Sequence, residues 1–547
     1  TPSFVPKRIP MMNGDQFRMF LIESRANKNE GVDSDDQYPE LRGDLTREDA
    51  WMYNNNYDLV DMITRVGFNQ NYSFSLRGGG QRLNYYWSLG YVKELGTTIG
   101  GGYERFSTTL NLDYRMSDKL RISSKFNYVN SLTDKRSTEW PDLLTVNRTN
   151  MGTVRPLAVA HARAPFLAVY TENGDDYFVE NSGKYYSGAN ADPYTKLYGW
   201  GVMYNPIAMI DLATFMVRNN RFMAALNVDF RPINSLSLYS QVSVDYRQSG
   251  DEFFVPSDAL GNVGHQSEYN LGMRSDGYEM KLVNNNRIIW NPINNENHWL
   301  QFTGVADLIY SQSNTLKISY SRNGSSDLQE SGAHGIIYTT REGTETQNAT
   351  VSLVVDAHYR LKNRYNVNFS IKTEGSSVYG KDNPFSLYPT VAFNWRMKEE
   401  PWLVDKEWLT ELKPRVSWGV SGKLPNVSNL LKVTYGSGSE GYMGDAYTHI
   451  NAFAYDNLHE ERTTEWNVGL DYSLFNDRLS GEFNYYRRMT RDVLMNEPIS
   501  SSTGFSERWH NFGTLRNEGW EFGIKAVPIE LENSFRWSTY FNIAQNK

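Results

Sequence analysis

Cysteine is absent from the 547 residues. Disulfide frameworks, thiolate metal sites and cysteine nucleophiles are therefore excluded, although compartment is not indicated. Long apolar runs are missing too. No stretch reaches the ~18 residues that a bilayer-spanning helix needs. Histidine is scarce, at eight residues, and none falls in a His-x-x-His or His-Glu-x-x-His spacing. His459-Glu460-Glu461 lacks the second histidine of a zincin. Basic charge is not in excess: Lys and Arg number 55 against 63 Asp and Glu, a net charge of −8. This argues against a nucleic-acid partner. Gly436 to Gly441 matches a dinucleotide fingerprint by letters, but no helix follows it. No nucleophile, base and orienter occur together, so the reading is not an enzyme. The opening residues TPSFVPKRIP show neither a charged nor an apolar leader region. Any signal peptide is expected to be removed or to lie outside this sequence.

Aromatic residues, in contrast, are abundant: 14% of the chain, with 36 Tyr and 14 Trp. Aromatic girdles at two membrane interfaces would use them. So would a carbohydrate-binding or aggregation-resistant sheet surface. The mean hydropathy of −0.59 does not exclude a membrane barrel, whose strands are polar at every second position.

The stretch Tyr103 to Ser131 shows the governing pattern. Phe106, Thr108, Leu110, Leu112 and Tyr114 alternate with Ser107, Thr109, Asn111, Asp113 and Arg115. After a short connector, Leu120, Ile122, Phe126 and Tyr128 alternate with Arg121, Ser123, Lys125 and Asn127. A period of two with one apolar face marks extended strands. Each predicted strand is about twice the ordinary 5–6 residues. About eleven residues, tilted about 45°, span roughly 26 Å, near the height of a barrel's apolar band.

The same pattern recurs along the chain. Residues 1–68 read as loop with helical pieces, including a helix over Gly14–Ala26. From 69 to 547 about sixteen strands are expected, with long loops near 132–217, 249–277, 321–346 and 423–460. A helix is predicted over Glu399–Leu412. Short and long connections alternate, as in outer-membrane barrels with short periplasmic turns and long extracellular loops. The predicted fold class is all-β, a transmembrane antiparallel β-barrel. The pattern stops mid-course at Asn542–Lys547, so a barrel lacking strands at both ends is expected.

Several phrases in order resemble the SusC/RagA-type TonB-dependent transporters. They are NQNYSFSLRGG (69–79), YYWSLGYVKELG (85–96), RFSTTLNLDYRMSDKLRISSKFNY (105–128), ARAPFLAVYTENGDDYF (162–178) and EGSSVYGKDNPFSLYPTVAFNWRM (374–397). Further matches are LHEERTTEWNVGLDYSLFNDRLSGEFNYYRRMTRDVLM (458–495), STGF (502–505) and NFGTLRNEGWEFGIKA (511–526). The resemblance implies a barrel of about 22 strands around a plug, in the outer membrane of a Gram-negative bacterium. It further implies a SusD-like surface lipoprotein as lid, and energy from TonB acting through a plug region that is not in this sequence. The implied function is active import of oligosaccharides or peptides. Alternatives are a passive porin, a surface structural or binding β-protein, and a soluble multi-sheet binding protein.

Trp140, Tyr177, Tyr194, Tyr198 and Trp200, all in the 132–217 loop, are the candidate substrate- or lid-contacting residues. Their rings suit sugar faces or peptide side chains; the competing role is packing the loop against itself or the lid. No cofactor is expected. Asp33-Ser34-Asp35-Asp36 and Asn173-Gly174-Asp175-Asp176 offer oxygens for a loop calcium, although neither completes an EF-hand pattern.

Overall fold

The computed structural model describes residues 10–27, 46, 50–138, 140, 155–174, 176–177, 205–256, 259, 270–321, 331, 336–379, 384–423, 433–438, 447–452, 455, 458–531 and 535–547. Among these, sixteen strands form one antiparallel sheet in chain order, without a crossover. They are β1 (Phe68–Gly79), β2 (Leu83–Leu95), β3 (Gly101–Arg115), β4 (Leu120–Lys135), β5 (Thr214–Ile233), β6 (Leu236–Val255), β7 (Leu271–Asn294) and β8 (His298–Ser321). There follow β9 (Ile337–Leu361), β10 (Tyr365–Ser376), β11 (Phe385–Trp395), β12 (Leu409–Lys423), β15 (Glu461–Leu474), β16 (Leu479–Pro498), β17 (Glu507–Leu531) and β18 (Phe535–Asn546). A separate hairpin, β13 (Thr434–Gly438) with β14 (Tyr447–Ala452), projects between β12 and β15. Among the described residues β1 and β18 are the sheet's edges. No helix there is long and apolar enough to cross a membrane, which says nothing against strands doing so.

Connection length sorts by rim. One rim carries 80–82, 116–119, 234–235, 295–297, 362–364, 475–478 and 532–534, with 396–408 the long exception. The other carries 96–100, 136–213, 256–270, 322–336, 377–384, 424–460 and 499–506.

Ladder register carries one face unbroken around the sheet. Leu110 lies opposite Trp87 and Phe126, Phe126 opposite Ala224, and Ala224 opposite Val244. Val355 lies opposite Gly304 and Ile371, and Val468 opposite Val416 and Tyr485. This face collects exposed large apolar residues, among them Phe74, Leu226, Val242, Leu353, Val355, Phe369 and Trp466. On a monomer such a surface marks contact with something apolar; on tilted strands sealed by their neighbours it is the hydrocarbon-facing wall. Asn284 and Asn286 interrupt it, yet their amides are satisfied locally. Asn286 donates to Asn284 (2.7 Å) and accepts from Ser240 (2.7 Å), while Asn284 donates to the Gln241 carbonyl (3.2 Å).

Five expectations are corrected. The 249–277 loop is shorter, because β6 continues to Val255 and β7 starts at Leu271. Likewise the strands reach Lys135 and start again at Thr214, and β9 begins at Ile337. These extensions run past the apolar band, where outward Glu252, Arg274 and Asp276 replace apolar residues, so the sequence alternation fades while the ladder does not. The 423–460 loop contains the β13–β14 hairpin. Finally, Glu399–Leu412 is not a helix. A short 3₁₀ turn, Met397–Glu399, precedes further turns, and β12 starts at Leu409. The Lys398 ammonium gathers the carbonyls of Leu403 (3.0 Å), Val404 (2.8 Å) and Lys406 (2.8 Å), fixing a coil that no α-helix can share. Beside it Glu400, only 6% exposed, accepts from Tyr365 Oη (2.6 Å) and Trp395 Nε1 (3.0 Å) and meets Arg364 at 3.3 Å.

Two outcomes follow from these contacts. Leu110→Lys is expected to destabilise the barrel by about 2–4 kcal/mol if near the midplane, and Asn111→Lys to be tolerated, as read by urea unfolding in lipid. Equal costs would contradict the register, since a one-residue slip exchanges the faces. Tyr365 and Trp395 hold the Glu400 carboxyl below its ordinary 4.5. Its stabilisation is complete above that value and is lost as pH falls through the depressed one. Acid titration of Trp395 fluorescence is expected to show this step in the native protein and to lose it in Glu400→Gln.

Candidate functional site

The second face of the sheet is polar and paired. Arg121 Nε donates to Asp113 (2.7 Å), and Arg221 grips Asp245 with two nitrogens (3.0 and 2.6 Å). Asn285 donates to Asp307, and Asn368 to Asp356 (2.8 Å). Asp471 takes Lys413 (2.8 Å) and Arg415 (3.1 Å), and Arg488 meets Glu465 (2.8 Å). Ion pairs this exposed add little stability. Their consequence is a wall that water wets and that presents fixed donors and acceptors to a hydrated solute. A recess of ≈ 300 Å³ opens in it among Arg221, Asp245, Arg247, Glu279 and Lys281.

At the long-loop rim this same face carries an apolar cap. Phe215 and Val217 of β5, Phe253 and Val255 of β6, and Leu271 and Met273 of β7 share it. Against them pack Trp140, Val159 of α4 (Pro156–Ala162) and Met209 of α5 (Pro206–Leu212). A second cluster joins Leu59, Val60 and Ile63, at α3 (Leu59–Met62), to Ala160, Val169, Ile207 and Ile210. A third joins Leu21 of α1 (Gly14–Asn27) and Tyr53 of α2 (Ala50–Tyr53) to Ala164, Phe166 and Leu167. The described parts of the segment before β1 and of the 136–213 connection thus pack together over the inward face. Backbone bonds fasten it: Tyr57 N to Pro165 O (2.8 Å), Ala168 N to Met52 O (2.8 Å) and Ile99 N to Ile63 O (2.9 Å). Gly14 is required by closeness, because a Cβ there would lie 2.6 Å from the Asn55 carbonyl. A cleft of ≈ 650 Å³ opens at the cap's surface, bordered by Met11, Met12, Asn56, Asp58, His161 and Arg163.

Trp140 is 1% exposed. Its Nε1 donates to the Arg136 carbonyl (2.8 Å), and its ring meets Phe253 edge-on with centroids 5.7 Å apart. Of the two roles expected for it, contact with substrate or lid and packing of the loop, the geometry matches packing: the indole seats the cap on the wall. Tyr177 pairs with Tyr170 and donates to Asp211 Oδ2 (2.6 Å). Burial, then that hydrogen bond, pushes its phenol above the ordinary value. Tyr194, Tyr198 and Trp200 lie outside the described residues, as does Asp33–Asp36. In the second acidic loop, Asp176 turns back on Thr171 and accepts from the Tyr177 amide (2.7 Å). Among the described residues no three His, Asp or Glu side chains gather as a metal site.

Two structural residues escaped the sequence reading. Asn205, fully buried, caps α5 through the amides of Ile207 (3.1 Å) and Ala208 (3.4 Å) and donates to Val169 O (2.8 Å). The Asn-Pro pair, cap then first helical position, was its signal. Arg136 clasps Asp134 and reaches the Ile210 carbonyl (2.8 Å). No local pattern announces that bond.

Residues 163–546 match the family described as TonB dependent receptor-like, beta-barrel. The chain is 27% identical over 515 residues to TonB-dependent receptor P26 of Formosa agariphila, covering 91% of this chain and 47% of that protein. It is 27% identical over 573 residues to TonB-dependent receptor SusC of Bacteroides thetaiotaomicron, covering 99% and 51%. The chain spans about half the length of these relatives. Its fold is similar to a structure of the RagAB peptide importer in the open-open state, with TM-score 0.68 and 19% identity over 98% of this chain and 58% of that one.

Asn205→Ala is expected to weaken the cap by about 1–3 kcal/mol, the cost of orphaning buried partners. Hydrogen exchange is expected to speed up in α4 and α5 and to stay unchanged in β3 and β4. Uniform acceleration would show that the cap is not a separate unit.

Proposed function

Because the chain belongs to the TonB-dependent receptor-like β-barrel family, we propose that it forms the greater part of the wall of an importer that moves oligosaccharides or peptides inward under TonB control. The outer membrane of a Gram-negative bacterium is its location. The carrying observation is the division of the sheet: an apolar outward face, a hydrogen-bonded polar inward face and, among the described residues, a packed cap over the inward face at the long-loop rim. A hydrated solute with many hydroxyl or amide groups finds exchange partners along Arg221, Asp245, Arg247, Glu279 and Lys281. Charge of both signs side by side suits a neutral or zwitterionic cargo better than a strong ion of either sign.

A SusD-like surface lipoprotein acting as lid, and TonB acting through a plug, complete this reading. It is supported by the resemblance of the ordered sequence phrases, by relatives named as TonB-dependent receptors, and by a fold neighbour described as a peptide importer. Tyr177, whose ring stays partly open, and Tyr194, Tyr198 and Trp200, which lie outside the described residues, are its proposed contacts to cargo or lid. No catalytic step is assigned to the chain.

Uptake by cells carrying the full-length protein decides the matter. Labelled oligosaccharide and peptide pools are expected to enter only when TonB is present, and a surface lipoprotein to co-purify. Entry indifferent to TonB would favour the passive porin.

A further inference from the structure

We propose that the outward face at the long-loop ends of β15, β16 and β17 binds the phosphate groups of an outer-leaflet lipid. Following the outward positions toward that rim, β15 reads Tyr472, Leu470, Val468, Trp466, Thr464, Arg462. Strand β16 reads Phe483, Tyr485, Arg487, Met489, Arg491, and β17 reads Phe522, Trp520, Glu518, Arg516. Register brings these together. Arg487 lies between Trp466 and Glu518, Met489 between Thr464 and Arg516, and Arg491 between Arg462 and Thr514. Apolar and aromatic wall therefore gives way to arginine within one alternate position on three neighbouring strands.

The charges do not balance. Four arginines face one carboxylate, a surplus of three. Glu518 sits 2.6 Å from Arg516 and 3.9 Å from Arg487. Arg462 donates to the Leu387 carbonyl (2.9 Å) and directly opposes Arg491. Like charges across a ladder destabilise it, and among the described residues neither Arg462 nor Arg491 has a carboxylate within ion-pair distance. Two other outward charge groups near this rim are matched. Lys93 pairs with Glu104 at 2.6 Å. Arg274 pairs with Asp276 at 2.8 Å, and Arg218 and Glu252 complete a balanced group beside them. Of these three groups, the one on β15–β17 carries the surplus.

Guanidinium forks match phosphate oxygens. Arg487 and Arg516 are half exposed, at 49% and 51% of their side-chain surface, so the forks are accessible. Trp466 stands beside Arg487, and Tyr485 and Trp520 lie one outward position below, where aromatic rings meet headgroups, and the apolar wall beneath accepts acyl chains. Phosphate above hydrocarbon is the order of parts in an anionic lipid, and basic residues beside a bilayer attract such headgroups. A free anion would leave the adjoining apolar surface unused. The proposal rests on membrane placement, not on import, so uptake and lipid retention fail independently.

The experiment uses the full-length protein in nanodiscs and native mass spectrometry of retained lipid A, the phosphorylated glycolipid of outer leaflets. Arg487→Gln/Arg491→Gln/Arg516→Gln is expected to weaken retention about a hundredfold, and Arg491→Gln alone about fivefold. Arg274→Gln is expected to leave it unchanged, and Arg491→Lys to restore most of the loss. Heat-modified gel mobility checks folding; the single variant, which only removes a like-charge clash, keeps the test open if the triple fails to fold. Dephosphorylated lipid A is expected to be lost from the native protein. Retention that ignores either the arginines or the phosphates overturns the proposal. So does full competition by millimolar inorganic phosphate, which would mark a free-anion site, and so does loss of a bound protein partner rather than lipid in the triple variant.

Discussion

A backbone amide in hydrocarbon has no water to bond, so it must find its partner within the sheet. Everything else in this chain follows from that constraint. Sixteen strands pair neighbour to neighbour in chain order, and because side chains alternate strictly, one register fixes the face of every residue. Leu110 is outward because Trp87 and Phe126 are. Asn111 is inward for the same reason. A single slipped strand would invert its own faces, stranding Arg121 or Asp245 in lipid.

The inward face uses the freedom this leaves. Many of its charges come as neighbours of opposite sign, with Arg221 on Asp245 and Arg415 on Asp471, and the wall stays wet. Over it the cap closes with ordinary hydrophobic packing: Trp140, Phe215 and Phe253 touch edge to face. The two materials meet on β5, β6 and β7, where the inward positions change from Arg221 and Asp245 to Phe215 and Phe253 within a few residues. Sheet and cap thus share strands.

The sequence showed most of the sheet, and its gaps have physical causes. Strand existence was plain wherever one face met lipid, as in 103–131. It faded where strands climbed beyond the bilayer, because outward Glu252, Arg274 and Asp276 erase the contrast between faces. That is why β6, β7 and β9 turned out longer than their alternation suggested. The false helix over Glu399–Leu412 arose from a turn organised by the ammonium of Lys398 and the carboxylate of Glu400, contacts that no periodicity reports. In the cap, aromatic side chains were legible but their occupation was not. Trp140 was a candidate to contact substrate or lid, with packing as its competing role, and its hydrogen bond to Arg136 O and its fit against Phe253 point to packing. Asn205 was readable through its proline, and the reach of Arg136 to Ile210 was not.

The cap's wiring also carries an order in time. Leu21 and Tyr53 find Phe166 across the whole of β1 to β4, and Ile63 finds Ile210 across still more chain. Closing so long a loop before its strands are placed would spend conformational entropy with few contacts in return. Once the four strands lie side by side, the ends are already neighbours. Assembly therefore proceeds from wall to roof, and the last part of this region to set is the one that faces the outside world.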